Sequence, residues 1–216
     1  MADSRRSTVD GFAAFVMRAR ARGVTDHHVL NAFEATQRER YVDPDDRERM
    51  FTDQVLPLPC GQACERLDDL ALAIAGLDIE PHHRILDVGT GGGFAAAVMA
   101  RLGARVVTID RYRTLLRLAG ERHARSGIST IEYRLGDGRT PPTDGPFDRV
   151  LFSVALDEPP RGYIEALAPG GVVVAPVGEG TDVDVLRLAR VGLRYERRRL
   201  GSGLFASAER GVARVL

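Results

Sequence analysis

Lysine and tryptophan are both absent from the 216 residues, so all 30 basic side chains are arginine. Without lysine the chain cannot carry a Walker-type nucleotide loop, whose lysine must reach the phosphates. Thirty acidic residues balance the arginines to a formal net charge of +0. A general nucleic-acid binder keeps a basic excess to neutralise phosphate, which sets that class aside. No apolar stretch approaches the roughly 20 residues of a membrane span, so no membrane association is expected. The start, "MADSRRSTVDGFAAF", lacks a continuous apolar core followed by a small-residue cleavage site. No secretory signal is expected, and the cytoplasm is the expected setting. Cysteine is scarce too: Cys60 and Cys64, four apart in "PCGQACE", form neither a CxxC pair nor a disulfide framework and read as structural or incidental thiols. No metal site is implied. The pairs His27-His28 and His82-His83 read as solvated residues at element starts, with a ligand role as the alternative.

A composition of 44% hydrophobic and 28% charged residues is that of an ordinary globular protein, and the length suits one domain. Phe12, Phe15, Val16 and Ala19 recur at helical spacing before a stop at Gly23. A second short helix follows, capped by Thr25 or Asp26 and carrying Val29, Leu30 and Phe33 on one side. Pro44, Pro57 and Pro59 make the stretch from Tyr41 to Gly61 an ordered, extended connection. "LDDLALAIAGL" is helical up to Gly76.

From Arg84 short apolar runs alternate with helical segments. "RILDV", "RVVTID", "IEYRL", "FDRVLFSVAL" and "GVVVAPVG" read as strands. "FAAAVMARLG", "RTLLRLAGERHAR" and "RGYIEALAPG" read as helices, the last ended by Gly170. Strict alternation with short connections predicts an α/β, doubly wound, mostly parallel sheet with helices on both faces. After Gly180 "DVDVLRLARVG", "LRYERRRLG" and "GVARVL" read as consecutive strands, and the arginines of the second as a solvated strand face, with a local nucleic-acid-binding patch as the alternative. The expected organisation is a single domain: a helical extension with a loop over 1–80, an α/β core over 81–180 and C-terminal strands over 181–216.

In such a sheet the ligand binds where the first strand turns into its helix. "RILDVGTGGGF" places Gly89, Gly91, Gly92 and Gly93 there, and glycine lets a backbone approach its ligand closely. A dinucleotide loop needs glycine at its sixth position, and counting from Gly89 that position holds Phe94. Asp110 ends the next strand, where a carboxylate can accept both hydroxyls of an adenosine ribose. After the third strand comes "GDG", whose Asp137 can accept from an adenine amino group. Three features at the ends of three successive strands point to an adenosine-bearing cofactor, NAD and S-adenosylmethionine being open alternatives at this level.

Here the chain resembles the protein-L-isoaspartate O-methyltransferase family, among the S-adenosylmethionine-dependent methyltransferases. "ILDVGTGGGFAAAVMA" is similar to that family's "VLEIGTGSGYQAAVLA", and "RARGVTDHHVLNAFEATQRERYV", "TDQVLPLPCGQ", "GDG" and "EALAPGGVVVAPVG" extend the likeness over most of the chain. The resemblance implies a seven-stranded sheet and S-adenosyl-L-methionine as cofactor. It implies cofactor contacts at Gly89, Thr90, Gly91 and Gly93, at Asp110 and Arg111 by the ribose, and at Asp137 and Gly138 by the adenine, with Asp87 organising the methionine end. It further implies an isoaspartyl peptide or protein carboxylate as methyl acceptor, a methyl ester that breaks down through a succinimide, and a reaction centre near Gln62 and residue 65. An ionised carboxylate needs no general base, so positioning supplies most of the help.

The acceptor side departs from the family. Its "GQTIS" loop is "GQACE" here, so Glu65 stands in the serine's place. The following Gln-Pro is "RL", and a C-terminal "VRFVPL" has become "GLFASAERG". Glu65 could stay protonated through burial and donate as a hydroxyl does, act as base for an amine or hydroxyl acceptor, pair with the cofactor's α-amino group, or simply be a helix-start glutamate. Arg66 could give an anionic substrate its countercharge or be solvated. A methyltransferase with another acceptor and a cofactor-binding relative without catalysis are the alternatives to isoaspartyl methylation.

Overall fold

A computed structural model of the chain describes residues 2–103, 105–180, 183–192 and 194–213. Three helices come first: α1 (Ala2–Ala21), α2 (His27–Ala35) and α3 (Leu67–Gly76). Asp26 caps α2 by accepting from the His28 N–H, one of the donors a helix start leaves unpaired. Between α2 and α3 the proline-rich connection forms short 3₁₀ turns and a hairpin of β1 (Leu56–Leu58) with β2 (Gln62–Cys64). That hairpin brings Gln62 to the edge of the cavity described below.

The alternating part contributes β3 (Arg84–Val88), α4 (Phe94–Arg101), β4 (Arg105–Asp110), α5 (Arg113–Arg125), β5 (Ile131–Leu135), β6 (Phe147–Phe152), α6 (Arg161–Glu165), β7 (Leu167–Val177), β8 (Val183–Val191) and β9 (Arg194–Gly203). One seven-stranded sheet results, in the order β5-β4-β3-β6-β7-β8-β9. Strands β3 to β7 are parallel, and β8 is antiparallel to both neighbours. Ile85 packs with Phe15, Phe33, Ala71 and Met99 from the four helices α1 to α4, while its neighbour Leu86 packs with Phe152, Tyr163 and Ile164 on the opposite face. A strand buried on both faces must be apolar without alternation, hence "RILDV".

Two expected elements differ. The helix expected to run to Gly170 ends at Glu165, because Leu167 pairs with Phe147 and is drawn into β7. Gly170, at φ 73°, lies where the ladder shifts register before Val172 meets Arg149, so it marks a bulge and not a helix stop. The third C-terminal strand is not formed over Gly211–Ala213, whose backbone turns back onto Asp137 and Arg111; 214–216 lie outside the described residues. His83 is also not solvated: it is buried, and its Nδ1 accepts from the Glu80 N–H at 2.8 Å.

Candidate active site

Strand order reverses at β3, which lies between β4 and β6, and this opens a crevice beyond the carboxyl ends of the strands. The glycine loop fills the turn from β3 into α4. Gly89 has φ 100°, and a Cβ there would sit 3.3 Å from Val154 and 3.4 Å from Ser153. Both its conformation and its closeness to β6's end therefore call for glycine. The Gly91 N–H donates to Asp110 Oδ2 at 3.0 Å and the Tyr112 N–H to Oδ1 at 2.9 Å, which ties the loop to β4's last residue.

A cavity lies here, lined among others by Gln62, Gly89, Asp110, Arg111 and Gly138, in the place where a doubly wound sheet takes its ligand. Phe152, Val154 and Leu156 give it an apolar wall. Gly138 must be small as well, since a Cβ would come 2.4 Å from the Val88 side chain. Gly138→Ala is expected to destabilise the fold by about 1 to 3 kcal/mol through overpacking and to weaken cofactor binding, read by denaturant unfolding and calorimetry.

Asp87 is fully buried. Its Oδ2 accepts from the Thr108 hydroxyl at 2.7 Å, and Thr108 meets Thr90 Oγ1 at 2.6 Å. Among the described residues its Oδ1 is buried without a hydrogen-bond partner, as is the Ser153 hydroxyl at the end of the adjacent strand. Burial pushes the Asp87 carboxyl up to about 8; the Thr108 hydroxyl opposes this, and the Glu65 and Asp110 charges add to it. Burial also raises the Asp110 carboxyl, against the N–H groups of Tyr112, Gly91 and Arg111. An orphaned acceptor that can ionise suits a cationic ligand group, and an α-ammonium is one.

Asp137 sits differently from expectation. Its Oδ1 accepts from Arg139 N and its Oδ2 from Gly211 N, so both oxygens already bind backbone. Burial alone would raise this carboxyl, but those two N–H groups and the Arg139 and Arg111 charges bring it below its usual value. Gly93 faces α5: a Cβ there would lie 2.9 Å from Ala119 and from His123 Nε2, and it is not among the residues lining the cavity. Arg111 pairs with Glu209 and donates to the Gly211 carbonyl at 2.9 Å.

The segment after β9 thus forms a strap over the cavity. Ser207, Ala208 and Glu209 line it, and the Arg139 guanidinium holds the Ala208 carbonyl at 2.9 Å. Sequence reasoning marked this segment only as a departure; "GDGR" carried the signal for Arg139. Glu65 is not among the residues lining the cavity; burial raises its carboxyl, aided by Asp69 and opposed by its own backbone N–H and by Arg38. Arg38 is itself buried, stacked on the Phe94 ring at 4.6 Å, donating to the Met50 carbonyl at 2.7 Å and reaching Cys64 Sγ at 4.0 Å. Gln62 Nε2 lies 3.4 Å from the Tyr112 hydroxyl. Cys60 and Cys64 are free thiols.

Away from the cavity, Glu80, His82 and His83 offer ligand atoms within 4.8 Å of one another, though His83 Nδ1 is engaged by the Glu80 N–H. Among the described residues no helix is long and apolar enough to cross a membrane.

Comparison with known proteins gives one consistent result. The family described as protein-L-isoaspartate(D-aspartate) O-methyltransferase matches residues 12–201. A protein-L-isoaspartate O-methyltransferase of Bradyrhizobium sp. strain BTAi1 is 37% identical over 204 residues, covering 94% of this chain and 95% of its own. One from Caulobacter sp. strain K31 is 38% identical over 194 residues, 89% of each chain. Among solved structures, a Plasmodium falciparum protein assigned to the same activity, in complex with S-adenosyl-L-homocysteine, superposes with a TM-score of 0.76 at 19% identity, covering 91% of this chain and 97% of its own. That likeness speaks for the fold. A family match reaching from α1 into β9, with relatives alike over nearly their whole lengths, places this chain in the protein-L-isoaspartate(D-aspartate) O-methyltransferase family, whose cofactor is S-adenosylmethionine.

Proposed function

We propose that this chain transfers a methyl group from S-adenosylmethionine to the free carboxylate of isoaspartyl residues in peptides and proteins. The observation that carries the reading is the family match over residues 12–201, which includes the glycine loop, Asp110 and Gly138 around one cavity. When bound, the cofactor supplies an electrophilic methyl on a sulfonium. The rest falls to the chain's own residues.

Asp110 has lone pairs left after binding Gly91 N and Tyr112 N, and these accept the ribose hydroxyls. Backbone at Gly89, Thr90 and Gly91 would hold the cofactor, with Arg111 toward its ribose. Gly138 and the remaining acceptor capacity of Asp137 would serve the adenine. Asp87 ionises against the α-ammonium, which gives its orphaned Oδ1 a partner. Phe152 and Val154 keep water from the reacting centre.

The acceptor carboxylate, with an ordinary pKa near ~4, arrives ionised and needs no base. A second carboxylate beside it would repel it. Glu65 therefore works protonated: burial raises its carboxyl and so favours the protonated form, whose O–H donates to the acceptor, with the Gln62 amide as a second donor. Arg38 opposes that protonation, while its own hydrogen bonds among the described residues go to the Met50 carbonyl and Cys64 Sγ. The setting proposed is the cytoplasm, where two free thiols are stable.

With cofactor saturating, wild-type kcat/KM is expected to fall as pH rises through the raised Glu65 pKa, since the active form is protonated. Glu65→Gln, a donor at every pH, should hold its rate across that range. A rate that climbs with pH and vanishes in Glu65→Gln would make Glu65 a base and the acceptor an amine or hydroxyl. The function itself is tested by incubating the protein with methyl-labelled cofactor and a short isoaspartyl peptide. Label that leaves as methanol in mild base is expected; base-stable label, or none, overturns the reading.

A further inference from the structure

Among the described residues β9 forms the outer edge of the sheet, hydrogen-bonded to β8 and to no other strand. Within it "RYERRR" sets Arg194, Arg197, Arg198 and Arg199 against a single Glu196, and all six residues are exposed. Arg199 is neutralised by Asp184 at 2.5 Å. Among the described residues Arg194, Arg197 and Arg198 have no ion-pair partner. Alternation puts Arg194 and Arg198 toward one face and Arg197 toward the other. Positive charge therefore flanks both sides of a row of outward N–H and C=O groups that meet no further strand.

Charge on an edge strand guards against self-pairing. Here it also selects. A second copy of this chain would set arginine against arginine, which is repulsive across a ladder. A nucleic acid would answer the charge but offers no peptide groups to the open ladder, and the net charge of +0 gives no wider basic field to hold it. An extended polypeptide rich in Asp or Glu answers both demands, ladder and charge.

The strip also leads to the site. β9 is antiparallel to β8, which is antiparallel to β7, so β9 runs in the same sense as β7 and ends at the carboxyl side of the sheet. From Arg194 to Gly203 is about 30 Å at ~3.3 Å per residue. Beyond Gly203 the chain continues into Ser207 to Glu209 of the cavity wall. The open stretch stops short of the cavity where Arg22 donates to the Ser202 carbonyl at 2.6 Å. A segment laid along Arg194–Arg199 is thereby aimed at the acceptor side.

We propose that the β9 edge is a docking strip for an acidic, extended segment of the polypeptide substrate, added as an eighth strand distant from the methylated residue. The proposal rests on reading the chain as a peptide methyltransferase. Its test uses one isoaspartyl core peptide carrying a Glu-rich arm, or a Gln-rich arm of equal length, on either terminus. Kinetics are compared in the wild type, in the triple variant Arg194→Ser, Arg197→Ser, Arg198→Ser, and in the corresponding triple Lys variant.

The expected result is a KM about tenfold lower for one Glu-armed peptide, the scale that three exposed ion pairs supply. The Ser variant or added salt should remove that advantage, the Lys variant should keep it, and the Gln-armed peptide should be indifferent to all three. Equal KM values for the two arms, or a preference for Glu that survives in the Ser variant, would overturn the proposal. Fluorescence anisotropy of a labelled Glu-armed peptide with an ordinary aspartyl core reads docking without catalysis. If no peptide is methylated, the functional reading fails while anisotropy still decides the docking. Tighter arginine-dependent binding of a single-stranded RNA oligomer than of the Glu-armed peptide would transfer the strip to nucleic acid and also overturn the proposal.

Discussion

Asp69→Asn is expected to lower the unfolding free energy by about 3 kcal/mol, at the low end of what removing one partner from a buried ionic network costs. Asp69 is fully buried. Its carboxylate accepts from Arg22, from Arg66 Nε at 2.7 Å and from the Leu204 N–H at 2.9 Å. The amide would keep part of this geometry and lose the charge that both guanidiniums answer. The low end applies because the Arg22 and Arg66 side chains stay 27% and 26% exposed and can hydrate. For a chain this long that loss is a fall in Tm of about 6 to 12 °C. The network joins α1, the residue after Glu65 and the first residue of the strap, so the variant should also lose acceptor affinity. S-adenosylhomocysteine binding, centred on β3 and β4, should change less. Thermal unfolding and paired Kd and KM measurements separate the two effects.

Asp87→Asn should have opposite effects on stability and on binding. In the empty protein the Asp87 carboxyl is held up to about 8, well above its unfolded value of about 3.9. The folded state therefore binds the proton more tightly, so this group's contribution is full below the unfolded pKa and is lost as pH rises through the folded one. Wild-type stability should fall between about pH 4 and pH 8 by this group's share, and Asp87→Asn should lack that decline. Cofactor binding selects the ionised form. Wild-type affinity should improve with pH up to about 8, whereas the Asn variant should bind about 30- to 100-fold more weakly at that pH, as for a lost charged hydrogen bond. Calorimetry with S-adenosylhomocysteine at several pH values measures this, including the proton released on binding.

The crevice at the glycine loop was legible in the sequence because strand ends fix it. Once "RILDV" and "RVVTID" are strands, Gly89 and Asp110 must meet at the crevice, and the 3.0 Å bond from Gly91 N to Asp110 follows from their register. Gly93 has a further demand that this local reasoning does not reach: its glycine answers α5, where a Cβ would meet Ala119 and His123 about 30 residues away in sequence. The strap was illegible for a related reason. Its anchors Arg111, Asp137 and Arg139 come from the ends of β4 and β5, as much as 100 residues earlier, and nothing local in "GLFASAERG" announces them. Nothing in "LDDLALAIAGL" marks Asp69 as the centre of an ionic network, since Arg22, one of the two arginines it holds, lies 47 residues earlier. Propensity likewise made one helix of "RGYIEALAPG", where pairing with β6 claims Leu167 for the sheet.

The most direct test of the account is the ratio of kcat/KM for one isoaspartyl peptide and its ordinary aspartyl isomer, with methyl-labelled cofactor and wild-type protein. The two substrates have the same composition and charge, so only the position of the carboxylate relative to its backbone distinguishes them. The account predicts base-labile methyl ester on the isoaspartyl peptide and a preference of at least about 100-fold over its isomer, the scale a site built on directed hydrogen bonds reaches. Equal rates on the two isomers, or S-adenosylhomocysteine binding with methyl transfer to neither, would contradict it.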